Sequence, residues 1–508
     1  MNGEEPSSEL TYLFHPKNIA VIGASENLNK FGGQVLYNLK LGNYQGNIFP
    51  INPKRDKVAG KTSYKTIKHV PEPLDLVISV IPNYQTPQTI EDCVDVAAKF
   101  VIINTAGFKE IAQFDENGMK YYNEIVRILK QAKGVTRTIG PNCMGLTCPI
   151  SNLNAMLGFL PLAKKFEDFN ISVTSQSGTW TWSVVNSANS HGVGIANAVS
   201  NGNELDLKFE DFVEYFGFYD NNTNAIVGYV EGFRNFTKIK KIAAEISEKK
   251  PIIILKGGRT ESGAESARSH TSAIAGNYDI FKSFCNQTGI IEARNFNEII
   301  GLARAIKIAH PDNYPKNNRV TIFTGGGGEG VIISDIIESC GLRLAKLQQH
   351  TIDNISTLLP PIWPHNNPVD TVGATNFVWM DIKKILEILI KDENTDIILI
   401  ASPLMGARKG EFPPGLKDYV RLMMGIENIT FEMIESFDKK MSKDIIRIAK
   451  KTDKLIIFTT IYYNAQETQE YKVLEDMFDN GILVVSDPEA GAQIIQKMLR
   501  YKNFFKIS

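Results

Sequence analysis

Short apolar runs alternate with amphipathic stretches along this chain, and that alternation limits the fold more than any other feature. Ile19–Ile22, Asn47–Ile51, Leu76–Val80 and Phe100–Asn104 are strand-length runs with helical spacing between them. Strand–helix alternation at this interval predicts a parallel, doubly wound α/β sheet. Pro141-Asn142 and a loop around Ser151–Pro161 are expected to close this first unit. A second unit opens at Ile171–Thr174 and continues through Ala225–Val230 and Pro251–Lys256. Pro311–Asn318, rich in Pro, Asn and Lys, reads as a linker. A third unit follows with Val320–Phe323, Ile397–Ala401, Lys454–Phe458 and Ile482–Val485. A chain of 508 residues is too long for one core, and the expected division is 1–150, 151–312 and 313–508.

Charge narrows the partners. Fifty-five basic residues against 56 acidic ones leave a net charge near −1, which argues against a nucleic-acid surface. The N-terminus lacks the basic-then-apolar order of a secretion signal, and runs such as Ile397–Leu404 are too short to span a bilayer. The five cysteines are scattered with no CxxC pair, so neither a disulfide framework nor a zinc cage is expected, and a reduced cytoplasm fits.

The turn Gly23-Ala24-Ser25, followed by Lys30, Gly32 and Gly33 before a helix, suits a phosphate approaching the backbone, although a plain tight turn has the same composition. An NAD pocket needs an acid at the end of the second strand. Here that strand ends Asn52-Pro53-Lys54-Arg55, with no acid before Asp56. A cation there suits the extra ribose phosphate that CoA and NADP both carry.

Six of the seven histidines have no distinctive neighbours. His270 lies in Ser-Gly-Ala-Glu-Ser-Ala-Arg-Ser-His-Thr-Ser-Ala, read as a small-residue loop after a Gly-Gly-Arg turn. Ser175-Gln176-Ser177-Gly178 precedes a helix expected from about Thr179, and Gly325–Gly330 precedes another expected from about Val331 to Ser339. Each offers free backbone N–H groups to an anion, and two such ends aimed at one histidine would stabilise a phosphoryl group. Glu231, ending the strand Ala225–Val230, is a candidate to fix a histidine tautomer.

Together these motifs resemble the α subunit of the NDP-forming acyl-CoA synthetases, in the succinyl-CoA synthetase superfamily. The resemblance runs over nearly the whole chain through Ile-Gly-Ala-Ser, Ile-Asn-Pro-Lys, Thr-Ala-Gly-Phe, Gly-Pro-Asn-Cys-Met-Gly, Ser-Gln-Ser-Gly, Ser-His-Thr and Asn367-Pro368-Val369-Asp370. It implies a Rossmann-like CoA-binding domain followed by two flavodoxin-like ligase domains. It also implies that His270 is the phosphohistidine and Glu231 its orienting carboxylate. Ser177 and Gly178 would cap one phosphate-binding helix, and Gly326, Gly327 and Gly328 would form the turn of another. Gly23, Ser25 and Lys30 would meet the CoA phosphates, Asn52 and Lys54 its adenosine side, Pro82 the same cleft, and Asn142 the region of the pantetheine thiol. Ser272 departs from the family, which usually has Gly after His-Thr.

No Walker-type GxxxxGK[ST] loop and no ATP-grasp unit are evident. The resemblance therefore implies a separate ATP-grasp β subunit bringing ATP or ADP and Mg2+, in an α2β2 assembly. It implies no metal on this chain and a small carboxylic acid or its acyl-CoA as substrate. Two other readings of the residues are a catalytically silent CoA-sensing scaffold and an NADP-dependent oxidoreductase.

Overall fold

The computed structural model describes residues 8–112, 114–158, 161–271, 277–309, 314–372, 375–401, 431–460 and 472–507. The chain divides into two compact units, Met1–Ile300 and Gly301–Ser508.

The first unit holds two large sheets. One consists of β1 (Asn18–Ile22), β2 (Asn47–Ile51), β5 (Leu76–Ser79), β6 (Phe100–Ile103) and β7 (Arg137–Ile139), all parallel in the order β2-β1-β5-β6-β7. A small hairpin, β3 (Lys57–Val58) and β4 (Lys61–Thr62), follows β2. Strands β5 and β6 are buried along their whole length, as a sheet covered on both faces requires. Each buried Ile or Val there contributes about 1.5–3 kcal/mol of transfer free energy.

The second sheet contains β8 (Gly145–Cys148), β9 (Leu153–Met156), β10 (Asn170–Ser175), β11 (Gly194–Ser200), β12 (Ala225–Val230), β13 (Ile252–Lys256) and β14 (Ile291–Ala293). Its order is β14-β13-β12-β10-β11-β8-β9, with β8 and β9 antiparallel and the rest parallel. The expected closing loop at Ser151–Pro161 is therefore partly strand. Residues 153–156 pair with 145–148, and this hairpin extends the second sheet through β11. Four-residue strands carry too little periodicity to be read from sequence. Asn38 also ties the hairpin region to helix Phe31–Leu41, donating from Nδ2 to the carbonyls of Met156 and Gly158 at 2.7 Å each.

The Gly301–Ser508 unit is built on β15 (Arg319–Thr324), β16 (Arg343–Leu344), β17 (Val369–Asp370), β18 (Ile397–Ala401), β19 (Leu455–Thr459) and β20 (Leu483–Val485). The order is β16-β15-β18-β19-β20, with β17 paired to the end of β15. Part of the expected linker, residues 311–313, lies outside the described residues.

In the first two sheets the first parallel strand is flanked by the second and third, with the fourth and fifth following outward, and the third sheet has the same order once the two-residue β17 is set aside. This order places a crevice where neighbouring connections leave in opposite directions, at the carboxyl ends of β1 and β5, β10 and β12, and β15 and β18.

Candidate functional site

The first crevice gathers the CoA candidates. Gly23 follows β1 at φ +89°, a left-handed conformation that favours glycine. The N–H groups of Gly23 and Ala24 both donate to the Ile51 carbonyl, at 3.2 and 3.3 Å. Asn52 Nδ2 donates to the Ala24 carbonyl at 2.8 Å, and Asn52 Oδ1 accepts from Lys54 N at 2.9 Å. Asn52 thus fastens the end of β2 to the first turn. Ser25 Oγ accepts from Asn27 N at 3.1 Å, and Lys30 is the N-cap residue of helix Phe31–Leu41 without a side-chain capping bond. The side chains of Lys30 and Lys54 are exposed, and none of the described ion pairs involves either. Asp56 instead pairs with Lys65 at 2.9 Å, and that hydrogen bond and charge hold its carboxyl below the usual range. Pro82 follows β5 and is exposed. Asn142, at φ +59°, donates its N–H to the Thr105 carbonyl at 2.9 Å. All these positions follow the carboxyl ends of parallel strands. Cys143 beside them is buried, and burial pushes its thiol up to about 12.

The helix start is packed too closely for any side chain. A Cβ on Gly32 would lie 2.0 Å from the Gly23 carbonyl oxygen, and one on Gly33 2.1 Å from that of Asn27. Both obstacles are backbone, so Gly32→Ala must displace the turn itself. The expected result is a loss of about 3 kcal/mol in denaturant unfolding, with CoA binding lost in calorimetry. Gly328→Ala is the control, because nothing lies within 4 Å of a Cβ there.

The second crevice holds the phosphoryl-transfer candidates. Helix Gly178–Ser190 begins one residue earlier than expected, with Ser177 as N-cap accepting from Trp180 N at 3.4 Å. A Cβ on Gly178 would meet Met144 Cγ at 2.3 Å. Glu231 follows β12 and is 6% exposed. Its Oε1 accepts from the Tyr229 hydroxyl at 3.4 Å, and its N–H donates to Gln176 Oε1 at 2.6 Å. Buried Lys256, ending β13, donates from Nζ to the Glu231 carbonyl at 2.7 Å and to the Gly257 carbonyl. Burial lowers its pKa to about 8 against the opposing charge of Glu231. A Cβ on Gly257 would lie 3.3 Å from Glu231 Cγ, so the carboxylate arm lies over the turn that leads towards His270.

The segment around His270 is not a loop. Backbone from Glu261 to Thr271 is helical, with Thr260 Oγ1 accepting from Gly263 N at 3.1 Å. Ala, Glu and Arg in this stretch favour helix, which offsets its serines and glycine. His270 occupies the last turn, and β13, which feeds this helix, pairs directly with β12, which ends just before Glu231. Ser272 lies outside the described residues.

In the Gly301–Ser508 unit, helix Gly327–Ser339 begins within the glycine run, four residues before the expected Val331. Gly326 is its N-cap residue, and the Thr324 hydroxyl donates to Glu329 Oε2 at 2.7 Å. Asn367 explains part of the Asn-Pro-Val-Asp motif. Its Nδ2 donates to the Val320 and Ala345 carbonyls at 2.8 and 3.0 Å, and its Oδ1 accepts from Ile322 N at 2.9 Å. That clamp seats β17 on β15 and brings Asp370 to the helix start, where its Oδ2 would lie 3.0 Å from a Cβ on Gly327. Gly325, Gly326 and Gly328 have nothing within 4 Å of an added Cβ. Among the described residues no group of three or more His, Cys, Asp or Glu is placed to hold a metal ion.

Sequence reasoning did not single out Lys256. Asn367 was visible as part of a motif, whereas Lys256 read only as the end of a strand.

Residues 17–149 match the family described as a CoA binding domain, and residues 169–306 the one described as a succinyl-CoA ligase like flavodoxin domain. Over 391 residues the chain is 37% identical to the ADP-forming acetate–CoA ligase II subunit alpha of Pyrococcus furiosus, covering 77% of this chain and 81% of that one. It is 36% identical over 366 residues to an ADP-forming acetate–CoA ligase of Methanocaldococcus jannaschii, where it spans 49% of the relative's length. Among solved structures, the dinucleotide forming acetyl-coenzyme A synthetase 1 of Ca. Korarchaeum cryptofilum, in complex with phosphate and ADP, matches with a TM-score of 0.77 at 26% identity, covering 98% of both chains. The chain belongs to the ADP-forming acyl-CoA ligases, a family in which it aligns with separate alpha subunits.

Proposed function

We propose that this chain is the CoA-binding, phosphoryl-accepting subunit of an ADP-forming acid–CoA ligase, with His270 as the phosphorylated residue. The observation that carries this reading is the second crevice. There a Ser177-capped helix start, the Glu231 carboxylate and the turn leading into the His270 helix follow the carboxyl ends of β10, β12 and β13, which are adjacent strands.

In the first step, phosphate oxygen bonds to the acyl carbon of acyl-CoA. The carbon–sulfur bond breaks, and CoA leaves as a thiolate that takes up a proton. In the second, a neutral imidazole nitrogen of His270 attacks phosphorus, and the carboxylate leaves as the phosphorus–oxygen bond breaks. In the third, ADP takes the phosphoryl group from histidine to give ATP. Free N–H groups at the Ser177–Gly178 helix start offset charge on the phosphate during transfer. Glu231 accepts a hydrogen bond from the proton-bearing imidazole nitrogen and so holds the tautomer that can attack. The open glycines at 325, 326 and 328 leave their turn accessible to a phosphate in its own right.

The first crevice would take CoA through Gly23, Ser25, Lys30, Asn52, Lys54, Pro82 and Asn142. An ATP-grasp β subunit would supply the ADP site with its Mg2+, in a cytoplasmic α2β2 assembly. No helix among the described residues is long and apolar enough to cross a membrane. The acid is proposed to be a small carboxylate, since relatives are named for acetate and 4-hydroxybutyrate. The test is incubation with acetyl-CoA and labelled phosphate, followed by mapping of an acid-labile, alkali-stable phosphate. Label at His270 supports the reading, and its absence refutes it.

Calorimetry should also show micromolar binding of CoA and at least tenfold weaker binding of NADP. The reason is that residues 17–149 match the CoA binding domain family, whereas exposed Lys30 and Lys54 by themselves suit the ribose phosphate of either ligand. Tighter NADP binding would overturn the pocket assignment.

A further inference from the structure

Behind the Glu231 turn lies a buried polar cluster that the proposed steps leave unused. Gln176 spends its whole side-chain amide there. Its Oε1 accepts from the N–H groups of Glu231 and Gly232, at 2.6 and 3.4 Å. Its Nε2 donates to the Gly232 carbonyl and to Glu204 Oε2, both at 2.8 Å. Glu204 is 4% exposed and sits at φ +55°, a left-handed conformation uncommon for a residue with a side chain.

The chemistry of its partners fixes the state in which Glu204 is useful. Oε2 accepts from Gln176 Nε2 and from Arg234 Nε at 3.0 Å, while Oε1 accepts from Asn201 Nδ2 at 3.2 Å and Phe209 N at 2.9 Å. All four partners donate. A carboxylate can receive four hydrogen bonds, whereas a carboxylic acid carries a proton that finds no acceptor among these four. Glu204 also fixes which end of the Gln176 amide faces it, and so which end holds the Glu231 N–H.

We infer that Gln176 and Glu204 are positioning residues for phosphoryl transfer: the ionised Glu204 locks the Gln176 amide, and the amide holds the Glu231–Gly232 turn in place. The inference rests on the proposed roles of Glu231 and His270. Burial works against the working state, pushing the Glu204 carboxyl up to about 7, with Arg234 opposing that rise and Glu210 adding to it. The other groups facing the cluster are the amides of Gln176 and Asn201 and the backbone of Phe209, with Lys256 on the far side of the Glu231 turn. The lock should therefore form as pH rises through about 7.

Its folding cost has the opposite sign. A carboxyl whose folded pKa is raised favours folding while protonated, and that contribution is lost as pH rises from its ordinary 4.5 through about 7. Glu204→Gln does not titrate and, like the protonated form, presents a donor to partners that all donate. The melting temperature of the wild type relative to Glu204→Gln should therefore fall over that interval.

The deciding experiment uses the full chain with acetyl-CoA and labelled phosphate from pH 5.5 to 8.5. Taking the ratio of wild-type to Glu204→Gln labelling rates cancels groups common to both, including His270 and phosphate. The ratio should be about tenfold at the alkaline end, in the range for losing a support of a catalytic group, and approach one at the acid end. In the Gln176→Met background, Glu204→Gln should add nothing, because the carboxylate acts through the amide. If Glu204→Gln does not fold, the ratio of wild type to Gln176→Met decides, and it should shrink in the same direction on acidification. A ratio that is constant with pH, or additive losses in the double variant, would overturn the inference while leaving phosphohistidine intact. No label on wild-type His270 would overturn the underlying reading, and the positioning role with it.

Discussion

His270→Ala is expected to reduce phosphate incorporation from acetyl-CoA and labelled phosphate to background. Phosphoryl transfer needs an acceptor with a lone pair, and alanine has none. Nor do the buried thiols Cys143 and Cys148 substitute for it. Cys143 is buried with its thiol pushed up to about 12, and Cys148 is buried with its thiol also raised, so neither supplies a thiolate at neutral pH. CoA binding should be unchanged, since the positions proposed for it belong to the other crevice. Label that persists at wild-type level in His270→Ala would end the proposed mechanism.

Glu231→Gln should slow labelling by about 10²-fold, the lower range for losing a positioned acid–base or electrostatic partner. The substitution keeps the shape of a side chain that is 6% exposed. It leaves the backbone bonds to Gln176 and Lys256 in place, because these use the Glu231 N–H and carbonyl. What it removes is the charge that favours the attacking tautomer. The loss should appear in kcat, with the apparent affinity for CoA little changed. Unchanged kinetics would remove the carboxylate's role and leave the histidine's.

Strands with strong β-branched runs are legible in the sequence. Ala225–Val230 and Ile397–Ala401 have the expected bounds, because a doubly covered parallel strand needs a continuous apolar run, and the edge strand Asn47–Ile51 has its expected bounds as well. Strand β11 is not legible, since its sequence Gly-Ile-Ala-Asn-Ala-Val-Ser is small and broken by Asn197. The buried amide is satisfied by Ser172 Oγ and Asp220 Oδ2 at 3.1 and 2.6 Å, partners that sequence alone does not bring together. The glycine run shows a different limit. Its anion-binding composition was evident, but glycines suggested a turn where Gly327 and Gly328 already belong to the helix.

The site divides along the same line. Ser177, Gly178, Glu231 and His270 belong to compact motifs, each marked by its immediate neighbours. Glu204 has no such signature, because its four donors come from residues 176, 201, 209 and 234. Lys256 is hidden in the same way: it ends an apolar strand, and only the pairing of β12 with β13 brings it to Glu231.

The hairpin of β8 and β9 bears on how the chain comes off the ribosome. Synthesis runs from the N-terminus, so residues 145–156 emerge before β11, to which β8 pairs through residues 145–147 in the second sheet. An unpaired hairpin edge is an invitation to aggregation while its partner is still unmade. The Asn38 amide, already synthesised, can hold Met156 and Gly158 through that interval. Asn38 secures the β9 end and leaves the β8 edge open for β11, and a cut at residue 150 would part the two strands of the hairpin from each other.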